Sequence, residues 1–143
     1  MAILAGEIVS AGRLNRMQPR PYHAVGNADL TGAVSNADVP GATYTFTTTA
    51  ANAAYTVVAV FDFDNAALTT LMIGRIAVDG AVQSPLATNG SQVTTDRVTA
   101  TQTYKGTLAS AGSHTIKLVA TLDTGQQVRG VNSSLLITIT EVV

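Results

Sequence analysis

The sequence predicts an all-β chain: an antiparallel β-sandwich of jelly-roll type with about eight strands and a short N-terminal arm. Three observations predict it. From Ala24 onward the apolar residues recur with period two. Clusters of Gly, Asn, Asp and Pro interrupt that pattern at intervals of about 8–12 residues. No strand-like run alternates with a long amphipathic helix, which argues against an α/β architecture. The expected division is an arm over residues 1–24 and a sandwich over residues 25–143.

The arm comes first. Ile3–Val9 reads as a short extended piece. Ser10 is placed to cap a turn or two of helix over Ala11–Met17. Leu14 and Met17 then share a face at i, i+3 spacing, with Arg13 and Arg16 beside them. Pro19 and Pro21 stop the helix and impose extended backbone around Arg20. A helix this short is not stable alone, so the domain or a partner must hold it.

The next stretch, GNADLTGAVSNADVPG, is rich in turn residues. Gly41–Thr49 alternates, with Tyr44, Phe46 and Thr48 on one face and Thr43, Thr45, Thr47 and Thr49 on the other. Ala54–Asp64 collects Tyr55, Val57, Ala59, Phe61 and Phe63 on one face. Its other face is also apolar until Asp62 and Asp64, as in a central strand. Leu68–Val78 is apolar on both faces and leads into Asp79-Gly80, a type I′ hairpin signal. Thr94–Leu108 turns Val98, Ala100, Tyr104 and Leu108 inward. After the turn Ala109–Ser113, the next strand does the same with His114, Ile116, Leu118, Ala120 and Leu122. These two strands are expected to form one antiparallel hairpin. The final stretch, SSLLITITEVV, is expected to be a strand running to the last residue, with Leu135, Ile137 and Ile139 inward.

Composition bounds the function. The chain has 143 residues, 46% of them hydrophobic and only 12% charged, against about 25% charged in an ordinary domain. That mixture implies that part of the outside is covered by identical copies or by a larger assembly. With no cysteine, a Cys-based metal site is excluded. The net charge of −1 argues against bulk nucleic-acid binding. The charge is uneven: three Arg and one Glu in residues 1–24 give +2, and five basic against eight acidic side chains in the rest give −3. No run reaches the roughly 18 apolar residues of a membrane span, so no membrane insertion is expected. MAILAGEIVS lacks a basic n-region and carries Glu7, a poor signal peptide, so synthesis in the cytoplasm is expected.

Few residues carry candidate chemistry. Asp62 and Asp64 lie two apart on one strand face, a spacing that can hold Ca²⁺ or serve as an acid/base pair. Beside that stands the plain reading, in which the strand leaves the core and its acids are solvated. His114 reads as a packed strand-end residue and His23 as a linker residue. Neither has a nucleophile or acid at motif spacing, and there is no G-x-S-x-G elbow. No enzymatic activity and no cofactor are expected. Gly74 marks a bulge, a bend or a close approach. GSQVTTD and GQQVRGVN read as polar loops with side chains able to meet sugars. Asn89-Gly90-Ser91 and Asn132-Ser133-Ser134 match the N-glycosylation pattern. Arg13, Leu14, Arg16, Met17 and Arg20 are the expected docking set, with the arginines on an acidic protein surface and Leu14 and Met17 as apolar anchors. Leu71 and Ile73, on a two-sided apolar strand, are expected at a subunit interface.

The arm AGEIVSAGRLNRMQP resembles the N-termini of small virion proteins of tailed bacteriophages, those infecting actinobacteria in particular. A short apolar stretch, a Ser, small residues and the pair Leu14-Asn15 carry the likeness. LTGAVSNADVPGAT, the Ile76–Gly80 hairpin and QTYKGTLASAGSHTIKLVA are similar as well, so the resemblance spans most of the chain. It implies an N-terminal arm that anchors to the virion and a projecting β-sandwich, commonly a homotrimer. Such proteins include head fibres, capsid decoration proteins, minor tail proteins and tail fibres. The expectation is therefore a capsid-attached decoration protein or short head fibre, bound to the major capsid protein or a neighbouring virion protein. The alternative is a tail-associated protein that binds host cell-surface glycan.

Overall fold

The computed structural model describes residues 10–65, 70–90, 93 and 95–141. The extended piece expected over Ile3–Val9, and the ends of three expected strands at residues 68–69, 94 and 142–143, lie outside them. The expected sandwich is present. One short helix, α1 (Ala11–Met17), precedes eleven strands among the described residues. These are β1 (Arg20–Val25), β2 (Leu30–Thr31), β3 (Val34–Thr48), β4 (Ala53–Asn65), β5 (Met72–Val78) and β6 (Ala81–Val82). Then come β7 (Ala87–Asn89), β8 (Asp96–Leu108), β9 (Gly112–Leu122), β10 (Gln126–Val128) and β11 (Ser134–Thr140).

The strands form two sheets, and among the described residues every strand pairing is antiparallel. In the six-stranded sheet β4 is central, with β8 along one side and β11 and β10 along the other. β1 pairs with β11 and β2 with β10 at the far edge. The five-stranded sheet runs β3, β9, β5, with β6 and β7 on the outside of β5. Phe61 and Phe63 from one sheet, and Met72, Ile76, Ile116 and Leu118 from the other, are wholly buried between them. Burying each such side chain is worth roughly 1.5–3 kcal/mol. Alternation decides which residues these are: every inward residue expected on β4, β9 and β11 is buried.

Four local readings change. First, β8 and β9 do not pair. β8 lies on β4, while β9 lies between β3 and β5 in the other sheet. The turn between them crosses the core, so Tyr104 and Leu108 face the sheet that carries His114 and Ile116. Both strands alternate in the same way whether they pair or oppose, and their pattern cannot tell the two apart.

Second, β3 begins at Val34, inside the stretch read as turns. Its register against β9 shifts between Val34 and Ala37 and again between Asp38 and Thr43. Asn36 (φ 46°) and Gly41 (φ 78°) sit in those shifts, so turn residues here serve bulges within a strand.

Third, residues 20–24, placed in the arm, are most of edge strand β1. His23 is therefore a strand residue, opposite Leu136. Fourth, GQQVRGVN is not a free polar loop. Gln126 and Val128 are buried, and Gln126 donates to the Thr70 carbonyl at 2.8 Å.

Two turn features hold as expected. Asp79 (φ 49°) and Gly80 (φ 85°) make the tight turn between β5 and β6. Gly74 provides a close approach: a Cβ there would lie 2.8 Å from the Phe61 ring.

Candidate functional site

The N-terminal arm and its root form the candidate site. The Ser10 hydroxyl accepts from the Arg13 N–H at 3.2 Å and caps α1. The helix ends before Pro19, as the two prolines require. No residue of α1 is buried. Leu14 is 50% exposed, Arg16 is exposed, and Arg13 and Met17 are partly covered. A capped helix with none of its residues buried has ordered its backbone with little of the apolar burial from which helices in proteins normally gain stability.

Arg20 has a different role from the other docking candidates. Its guanidinium bonds to Glu141, whose side chain is wholly buried. Glu141 also accepts from the Thr49 hydroxyl and from the Thr49 N–H, the latter at 3.1 Å. Burial would raise the Glu141 pKa. The Thr49 bonds and the Arg20 charge outweigh it and hold the carboxyl below its usual value. Arg20 thus ties the root of the arm to the end of β11 and to the β3–β4 turn. Two residues further on, Tyr22 stacks on Phe46 at 5.4 Å and leans on Tyr44 at 4.9 Å. The structure separates the expected docking set: Arg13, Leu14, Arg16 and Met17 lie on α1, while Arg20 belongs to the sandwich.

Asp62 and Asp64 are not a solvated strand end, because β4 continues through Asn65. Asp62 is 4% exposed and takes both arms of the Arg97 guanidinium. The Arg97 hydrogen bond is the largest cause that lowers its pKa, against desolvation. Asp64 accepts from Gln127 at 3.0 Å and from Arg129 at 2.8 Å, and Arg129 reaches Asp29 at 2.8 Å. Guanidinium groups stand where the metal reading placed a cation. Among the described residues no group of three His, Asp or Glu could hold a metal.

The remaining candidates are scattered. His114 is buried at a strand end, as expected, with Nδ1 2.7 Å from an Asp79 carboxylate oxygen and Nε2 3.0 Å from the Ser110 carbonyl. Asp79 is the partner that motif spacing did not reveal, since it lies 35 positions away. Leu71 is 58% exposed just before β5. Ile73 is half-buried on the outward side of β5, opposite Thr88 and Thr121. Asn89 of the first glycosylation pattern is buried. Of the loop GSQVTTD, residues 91, 92 and 94 lie outside the described residues. Among the described residues no pocket opens, and no helix is long and apolar enough to cross a membrane.

No protein-family model matches the chain, and no curated protein sequence matches it. Solved structures do. The dimeric latent PorU of Porphyromonas gingivalis superposes at a TM-score of 0.52 with 12% identity, over 86% of this chain and 13% of that one. A chain of the T13 IBDV viral particle superposes at 0.51 with 16% identity, over 85% of this chain and 31% of that one. The CBM36-1 domain of a multidomain xylanase from the hindgut metagenome of Trinervitermes trinervoides superposes at 0.49 with 16% identity, over 88% and 100%. The likenesses to PorU and to the IBDV particle establish the sandwich fold.

Proposed function

We propose that this protein is a non-enzymatic structural component of a bacteriophage virion, held by its N-terminal arm with the β-sandwich projecting. The place on the particle is the capsid surface, as a decoration protein or short head fibre. The observation that carries this reading is α1: a capped helix at the sandwich surface, none of whose residues is buried. Leu14 and Met17 supply apolar contact, and Arg13 and Arg16 supply charge for an acidic surface. Arg20 holds the root in place through Glu141. The phage context comes from the resemblance of the arm and of the later segments. The IBDV chain is an instance of this fold in a virus particle.

The test uses particles that lack this protein. The full chain and a chain beginning at Gln18 are added separately. Starting at Gln18 keeps β1 and the Arg20–Glu141 pair, which a cut at residue 25 would remove. The full chain is expected to bind and the shorter one to remain free while keeping its fold. Equal binding by both would remove the arm from the function. Blotting separated heads and tails reads the location. Saturable binding of the shorter chain to host cells would favour the glycan-binding alternative.

A further inference from the structure

The outward face of the six-stranded sheet departs from the usual pattern. An antiparallel sheet with one wet side shows polar residues there. Here β4 turns Val58 and Val60 outward, each half-buried. Leu136 of β11, 46% exposed, stands opposite Val58. Val25 of β1, 42% exposed, stands beyond Ser134, next to Val60. On the other flank β8 contributes Thr101, Thr103 and Thr107, and on β1 Pro21 and His23 complete the width. Among the described residues of these four strands, Lys105 is the only Lys, Arg, Asp or Glu on this outward face between the level of Val60 and the level of Ala54. The ion pairs of Asp62 and Asp64 lie beyond that end.

We infer that this face is covered by the same face of a second copy of the chain. The charge pattern selects the occupant. Covering a charged surface with this one would strip water from charges without pairing them. The outward face of the five-stranded sheet is charged, with Arg75 and the Lys117–Asp38 pair at 2.7 Å. The Val58 face is apolar at its centre and rimmed by hydroxyls, with Lys105 at its β8 edge as its one Lys, Arg, Asp or Glu among the described residues, so its centre matches itself. A face that covers itself does so about a two-fold axis. An axis near Val58 and Leu136 stacks the apolar centres and leaves the two Lys105 side chains on opposite rims, where they stay solvated.

The size is adequate. Four strands at about 4.8 Å and seven positions at about 3.4 Å give roughly 450 Å² before side-chain relief. It is more than half of the roughly 800 Å² that each partner gives a standard interface. The inference does not depend on what the arm binds.

The test is the solution mass of the full chain and of four single variants, with circular dichroism and the thermal midpoint as the check on folding. Leu136→Lys and Val58→Lys place a charge at the centre of the face, and Leu136→Thr is the milder form. Leu71→Lys places one at the end of β5, where the sequence alone expected the interface. The expected result is two chains for the wild type and for Leu71→Lys. Both central lysine variants should raise the dissociation constant at least about tenfold while remaining folded. A wild type of one chain overturns the inference. So does a mass of three chains, the number implied by the phage resemblance, or pairing lost in Leu71→Lys but kept in Leu136→Lys. None of these results bears on whether the arm attaches to a particle.

Discussion

Arg20 and Glu141, 121 positions apart, close the sandwich where the N-terminal arm leaves it. The buried carboxylate receives the guanidinium and two donors from Thr49. The pair joins the first strand to the end of the last one. It also explains why the arm has a defined starting point although α1 has none of its residues buried.

Removing Glu141 tests this closure. Glu141→Ala leaves the Thr49 N–H and the Arg20 guanidinium without their acceptor. A loss of about 1–3 kcal/mol of unfolding free energy is expected, or roughly 2–4 °C of Tm for each kcal/mol at this chain length. Urea and thermal unfolding of the variant check it. An unchanged midpoint would mean that the pair is dispensable.

Acid should destabilise the fold through three carboxylates. The pKa values of Asp62, Asp79 and Glu141 are all lowered. At Asp79 burial pushes upward, and the bonds from His114 and the Thr115 N–H outweigh it. Folded values below the unfolded ones mean stability that is fully present above the unfolded range, near pH 4. It is lost as pH falls through the folded values. Urea unfolding from pH 7 downward should show a plateau and then a decline below about pH 4. Asp62→Asn should shrink that decline.

Metal should have no effect on the described fold. The carboxylates of Asp62 and Asp64 already carry guanidinium partners. Adding Ca²⁺ or EDTA is expected to leave Tm unchanged. A rise with Ca²⁺ that disappears in Asp62→Asn would restore the metal reading.

Gly74→Ala should cost about 1–3 kcal/mol, the usual cost of an added methyl in a filled core. The new Cβ would sit 2.8 Å from the Phe61 ring. Gly32→Ala, which meets nothing within 4 Å but has φ +89°, separates backbone strain from crowding in the same unfolding experiment.

Leu14→Ser and Arg16→Glu should leave the unfolding free energy within about 0.5 kcal/mol of wild type, as exposed substitutions do. Binding to particles lacking the protein should fall in both. A normal level of binding would show that α1 is not the docking element.

Much of this was written locally in the chain. The Ser10 cap, the stop at Pro19 and the Asp79-Gly80 turn need only neighbouring residues, and each forms where its chemistry lies. Period-two alternation determined which side chains of β4, β8, β9 and β11 point inward, because the pleat enforces it whatever the partner strand is. Pairing is another matter. Whether β8 joins β9 or faces it across the core depends on contacts between distant strands, which alternation does not encode. Only the tertiary structure gave Asp62 to Arg97, Asp64 to Arg129, His114 to Asp79 and Arg20 to Glu141. Each of these pairs spans 35 or more positions, and a charge's partner is set by folded distance, on which sequence spacing has no hold.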